Sequence, residues 1–248
     1  VSRDKQARGL FNGGEIVENK PIGFPQDGDY LKPYSNIFYW AHAWTPGKSS
    51  TIALHPHEGF EIMSFVLDGS IEHFDTKTNN WIPLQKGDVQ LIQAGNGISH
   101  AEKINTNSAI FQIWLDPNLS QSLLKPAAYI DFSSDTFRST ALANGKIIHY
   151  AGANGIIKLD STDIEIMEYR FNSIEEKIHL PEKKILSAYL IDGSLEVNNQ
   201  TLEKDDFLLV EGEQYVQISS KTSGRFFIIL SASQVAYPTY AQQHILNN

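Results

Sequence analysis

The sequence predicts an all-β chain built as two tandem β-sandwich barrels with a few short helices. Three observations predict it. Short apolar runs recur along the chain, punctuated by Gly, Asn, Asp and Pro. Helical periodicity is scarce. One strand–turn–strand unit is written twice, 124 residues apart, which is half of the 248-residue length.

In chain order, Glu61-Ile-Met-Ser-Phe-Val-Leu-Asp68 is apolar on both faces and stops at Gly69, so it reads as a buried strand entering a turn. Similar runs are Asp88 to Gln93, Ala109 to Leu115, Ile185 to Ile191, Phe207 to Val210 and Phe226 to Leu230. Leu119 to Lys125 reads as a short helix capped by Asn118 and ended by Pro126. The repeat places His55-Pro-His57 through Asp68-Gly69-Ser70 over His179-Leu-Pro181 through Asp192-Gly193-Ser194 without a gap. Leu84-Gln-Lys-Gly-Asp88 then resembles Leu202-Glu-Lys-Asp-Asp206. With Asp116-Pro117 and Pro126 as punctuation, the expected domains are 1–125 and 126–248. The tail from Ser233 is expected to pack back on the first barrel.

There is no cysteine, which removes disulfides, zinc ribbons, iron–sulfur clusters and thiol catalysis. Any metal must be held by His, Asp or Glu. Twenty basic against 29 acidic residues give a net charge of −9, which argues against direct binding to nucleic acid. The N-terminus is charged and lacks the apolar stretch of a signal peptide. Val1 is not Met, so the numbering is expected to start inside a processed or trimmed chain. No apolar run approaches the ~20 residues of a membrane helix. A soluble, cytoplasmic, monomeric protein is the expectation.

His55 and His57 are two residues apart before a strand, and so are His100 and Glu102 after the next hairpins. On extended backbone, each pair projects to one side of a sheet. If the two strands adjoin, three imidazoles and one carboxylate converge. Such an N/O set suits Fe(II), Mn(II), Ni(II), Co(II) or Zn(II), and contains the ingredients of a two-His-one-carboxylate oxygenase site.

These segments carry a family resemblance. His55-Pro-His57-Glu-Gly-Phe-Glu61, Gly69-Ser-Ile-Glu-His73-Phe-Asp75, Gly87-Asp88-Val89-Gln90, Ala94-Gly95-Asn-Gly97-Ile-Ser-His100-Ala-Glu102 and Phe111-Gln-Ile-Trp-Leu-Asp-Pro117 resemble the pirin family of the cupin superfamily. The resemblance is strongest over residues 55–117 and implies a bicupin. It implies metal ligation by His55, His57, His100 and Glu102. Cupins outside this family use a Glu four residues after the second His, which makes Glu61 the second choice as ligand. As a non-ligand, Glu61 would hydrogen-bond a ligating His. Glu58 stands where pirins commonly carry Arg, and Ala101 where they commonly carry Ser. The first change is expected to make the mouth of the site more acidic.

The resemblance implies a non-haem Fe(II) dioxygenase acting with dioxygen on a small aromatic, flavonol-like substrate such as quercetin. Ni, Mn, Co, Cu and Zn are the other candidate ions. Glu102 is the candidate catalytic base. The alternative is an iron-dependent, redox-sensitive protein-interaction or transcriptional co-regulator module that binds a protein partner without turnover.

The second copy keeps only His179, with Pro181 over His57, so it is expected to be metal-free and His179 structural or exposed. His73 reads as a turn-side residue. His42, His149 and His244 have no partner pattern. Trp40, Phe60, Met63, Phe65, Phe111 and Trp114 could line an apolar pocket. Met63 and Phe65 share the parity of His55 and His57 and are the favoured pair.

Overall fold

In the computed structural model, residues 1–24 and 31–245 are described, and the chain divides into two compact units. The N-terminal barrel unit comprises residues 6–136 together with 237–248. The C-terminal unit comprises residues 137–236 together with the first five. The division thus falls eleven residues later than the sequence punctuation suggests. The reason is a strand past Pro126, Ala128–Phe132, that pairs with Val89–Gln93 of the first barrel.

The N-terminal unit contains β1 (Ala7–Phe11), β2 (Ile16–Ile22), β3 (Ile37–Trp44), β4 (Ser50–His57), β5 (Glu61–Asp68) and β6 (Ser70–Asp75). It continues with β7 (Trp81–Gln85), β8 (Val89–Gln93), β9 (Ile98–Ile104), β10 (Ala109–Leu115), α1 (Leu119–Ser122) and β11 (Ala128–Phe132). One sheet has the order β1-β2-β3-β10-β5-β8-β11 and the other β4-β9-β6-β7, all antiparallel. The expected helix is there but shorter, with the Asn118 side chain accepting from the Ser120 amide as a cap.

The C-terminal unit contains β12 (Arg138–Leu142), β13 (Gly145–Ala151), β14 (Glu165–Phe171), β15 (Ile174–His179) and β16 (Lys184–Asp192). After them come β17 (Ser194–Val197), β18 (Gln200–Glu203), β19 (Phe207–Val210), β20 (Tyr215–Ser220) and β21 (Gly224–Ala232). Its sheets run β12-β13-β14-β21-β16-β19 and β15-β20-β17-β18. The order matches the first barrel strand for strand, β11 being the addition. No helix among the described residues is long and apolar enough to cross a membrane.

The repeated Asp-Gly turns do the same task in both units. Gly69 has φ +66° and Gly193 φ +91°, a region that costs a side chain strain. A Cβ on Gly69 would lie 3.0 Å from Ser108 Cα, and one on Gly193 would lie 2.5 Å from the Ser223 carbonyl oxygen. The turn needs glycine for both conformation and space.

Beyond Tyr237 the chain returns to the first barrel. The Tyr237 hydroxyl donates to the Asp116 carbonyl oxygen at 2.9 Å. The amide of Ala241, in α2 (Tyr240–Ile245), donates to the Asp116 carboxylate at 3.1 Å. The Tyr240 ring packs on Phe38 and Phe60, at centroid distances of 5.8 and 5.5 Å. Burial raises the Asp116 carboxyl to about 6, against the partial relief of the Tyr240 and Ala241 amides.

Two predictions follow from these contacts. Gly69→Ala and Gly193→Ala should each lower stability by about 1–3 kcal/mol in urea unfolding. For Asp116, the folded chain holds the proton more tightly than the unfolded one. Its favourable contribution is therefore complete below pH ~4 and fades as pH rises through about 6. Asp116→Asn should leave stability at pH 4.5 near wild type and raise it at pH 8 by about 2 kcal/mol. Equal effects at both pH values would refute the assignment.

Candidate metal centre

The sequence leaves open whether the two imidazole-bearing segments meet. They do: β4 pairs with β9, with His55 opposite His100 and His57 opposite Ile98. The pairing contains a register shift between Ile52 and His55. Ile52 faces the barrel interior and packs with Ile71, Leu84 and Ile104. Without the shift, alternation would keep even residues inside and turn both His outward. The extra residue of the bulge, at Ala53–Leu54, moves the odd positions inward. The imidazoles of His55, His57 and His100 come together, with ring centroids 4.4 to 4.8 Å apart.

The bulge also sets the His55 tautomer. Its Nδ1 lies 2.7 Å from the Ala53 carbonyl oxygen, which can only accept, so Nδ1 is the donor and, in the neutral tautomer this selects, Nε2 carries the lone pair. His57 Nε2 and both ring nitrogens of His100 are buried and lack a hydrogen-bond partner among the described residues. Burial, followed by the neighbouring imidazoles, holds His57 and His100 down to about 3, so both rings are neutral. Neutral, inward-facing imidazoles without acceptors suit a cation with borderline N/O preference.

Glu102 is fully buried on β9. Its two oxygens accept from Ser64 Oγ at 2.8 Å and Gln112 Nε2 at 2.5 Å. Both donors are uncharged, so they orient the carboxylate without neutralising it. Ligand atoms of His55, His57 and His100 lie within 4.8 Å of one another, and so do those of His73, His100 and Glu102. The four residues singled out in the sequence therefore fall into two triads that share His100.

Three expectations are corrected. His73 is not a turn residue: it is fully buried on β6 and faces Glu102 in the register. The turn comes later, at Thr76 to Asn80, and alternation buries Ile71, His73 and Asp75 alike. Glu61 is buried but lies outside both triads, and its carboxylate accepts from Gln93 Nε2 at 3.0 Å. Met63 and Phe65 do not face the site. β4 and β5 belong to different sheets, separated by Gly59 at φ +76°, so parity does not carry across. The interior face of β5 is Ile62, Ser64 and Val66, as the Ser64–Glu102 bond shows.

Of the other aromatics, Trp114 lies against His57 at 4.7 Å, and Phe60 packs on Trp114 at 5.9 Å. Trp40 and Phe111 pack on each other at 5.5 Å, and Phe111 also meets His42, on the far side of the sheet. A cavity of about 540 Å³ opens at His57, with Glu58, Thr76 and Ser99 on its wall. Ser64, Gln112 and His73 are the site residues that sequence reasoning missed. The repeat carried a signal for two of them: at the offset of 124, Ser64 meets Ala188 and His73 meets Val197.

The C-terminal barrel shows what the same topology does without the site. β15 and β20 pair without a register shift, and His179 is exposed beside Tyr215. Val197 faces Ile218 as His73 faces Glu102, and Ala188 faces Ile228 as Ser64 faces Gln112. Val216, two residues before Ile218, stands in place of His100. These apolar residues belong to one continuous core. A cavity of about 720 Å³ in this unit has Glu175, Glu176, Glu196 and Lys221 on its wall and no imidazole.

Residues 24–115 match the Pirin family. A quercetin 2,3-dioxygenase of Escherichia coli is 24% identical over 179 residues, covering 70% of this chain and 73% of its own. A pirin-like protein of Caulobacter vibrioides is 45% identical over 65 residues, covering 25% of this chain and 28% of its own. The bacterial pirin YhhW of Escherichia coli, solved in complex with nickel(II), superposes with a TM-score of 0.77 at 17% identity. That match covers 94% of this chain and 98% of YhhW.

The bulge makes a direct prediction. Deleting Leu54 removes the extra residue itself, so β4 should straighten while His55 and His57 keep their places opposite His100 and Ile98. Their carbethoxylation by diethyl pyrocarbonate should then stay slower than that of exposed His179. Acceleration to the His179 rate would show that the pairing with β9 does not aim them.

Proposed function

We propose that this chain, a member of the pirin family, is a metal-dependent dioxygenase of flavonol-like substrates. The metal is a divalent ion held by His55, His57, His100 and Glu102. The observation that carries the reading is the convergence of three imidazoles beside a buried carboxylate, with His55 and His57 turned inward by the β4 bulge and with ring nitrogens of His57 and His100 buried without partners among the described residues. The relatives named quercetin 2,3-dioxygenase and the nickel-bound pirin support the substrate class and the ion class. Fe(II) is the first choice, and Ni, Mn, Co, Cu and Zn share the donor preference.

When bound, a divalent ion supplies Lewis acidity to a substrate oxygen. The chain supplies the rest. Glu102 is placed to take the proton of an enolic hydroxyl, with Ser64 and Gln112 fixing its plane. His55, held through Nδ1 by Ala53, keeps Nε2 directed inward. Trp114 and Phe60 form an apolar wall that keeps water from one side of His57. Glu58 on the cavity wall favours a neutral polyphenol over a carboxylate-bearing ligand.

Elemental analysis of the purified chain should find about one divalent ion per chain, lost in His100→Ala. Oxygen consumption with quercetin should depend on that ion. Glu102→Gln should lose at least about tenfold more turnover than metal. A folded protein without metal would overturn the site. Metal without oxygen uptake, whichever ion is loaded, would overturn the dioxygenase.

A further inference from the structure

We infer a second, inner position for a divalent cation, formed by His73, His100 and Glu102. It lies in the same barrel as the position proposed above, and the two share His100 and Glu102, so one ion per chain takes one position or the other. The inference adds a ligand residue to the proposed metal centre but does not depend on any turnover.

Three independent observations carry it. The first is donor geometry: one ligand atom from each of the three residues lies within 4.8 Å of the others, and all three residues are buried. Two imidazoles and one carboxylate in that spacing are a donor set for Fe(II), Mn(II) or Co(II).

The second is the His73 side chain itself. Both of its ring nitrogens are fully buried with no hydrogen-bond partner among the described residues. The Asp75 carboxylate stands 3.6 Å from Nε2, beyond hydrogen-bond distance. Asp75 accepts from the amides of Lys77 and Thr78 at 2.7 and 2.8 Å and from the Thr78 hydroxyl at 2.7 Å. The Tyr129 ring stacks on His73 at 4.7 Å and fixes its plane. A buried imidazole held rigid with two idle nitrogens is costly unless something uses them.

The third is the comparison between barrels. Where the N-terminal barrel has Ser64, His73, His100, Glu102 and Gln112, the C-terminal barrel has Ala188, Val197, Val216, Ile218 and Ile228. His73 changes character together with the others.

Co(II) is the probe, because it fits the donor set and absorbs in the visible when bound. The His55→Ala/His57→Ala double variant should still bind one equivalent of Co(II), with a changed visible spectrum. Adding His73→Phe should abolish that binding, by at least about a hundredfold in Kd. Circular dichroism checks that each variant is folded. A folded double variant that binds no Co(II), or one whose binding survives His73→Phe, overturns the inner position. If the double variant does not fold, crystals of the His57→Ala single variant soaked in excess Co(II) decide by anomalous scattering. A peak between His73, His100 and Glu102 supports the position, and its absence refutes it. Failure of the wild type to bind Co(II) anywhere would instead sink the metal centre as a whole.

Discussion

A single extra residue in one strand governs the site. Antiparallel pairing fixes side-chain parity, so a strand that starts with Ser50 and Ile52 inside would keep His55 and His57 outside. The bulge at Ala53–Leu54 breaks that parity once, and the Ala53 carbonyl it exposes then pins His55. Everything downstream assumes this reversal: the convergence on His100, the buried lone pairs and the contact of His57 with Trp114.

The two barrels separate what stability needs from what chemistry needs. Both use the same strand order and the same Asp-Gly turn. At the positions that match the site, the C-terminal unit has Ala188, Val197, Val216, Ile218 and Ile228 in one apolar core, which removes apolar surface from water with no polar group buried at those places. The N-terminal unit places a carboxylate and several imidazoles at the corresponding positions, and buried polar atoms without partners are expensive. It retains apolar clusters on either side of them, around Ile71 and Ile104 and around Ile62 and Ile98.

Much of this was legible in the residues. The two-barrel plan followed from the repeat, and the four polar residues of two His-x-His/His-x-Glu pairs from period-two spacing. Three things were not. The bulge has no signature in Ala53-Leu54, because a register shift is a property of a pair of strands. Parity carried from His57 to Met63 failed because Gly59 lies in the change of sheet between them. His73 looked like a turn residue because Gly69 precedes it closely, yet the chain is already back in a strand at Ser70. Reading the polar-to-apolar changes between the two copies would have marked both Ser64 and His73.

The bulged strand is also an edge. β4 ends the order β4-β9-β6-β7, so one side of its backbone has no strand neighbour in that sheet. A straight, exposed edge is a template on which another chain can add a strand, and Leu54, 54% exposed, would make this one sticky. The kink interrupts the row of donors and acceptors such an intruder would need. The same distortion that turns the imidazoles inward therefore also breaks up the edge, and pairing every residue of β4 in step with β9 would both straighten that edge and turn His55 and His57 away from His100.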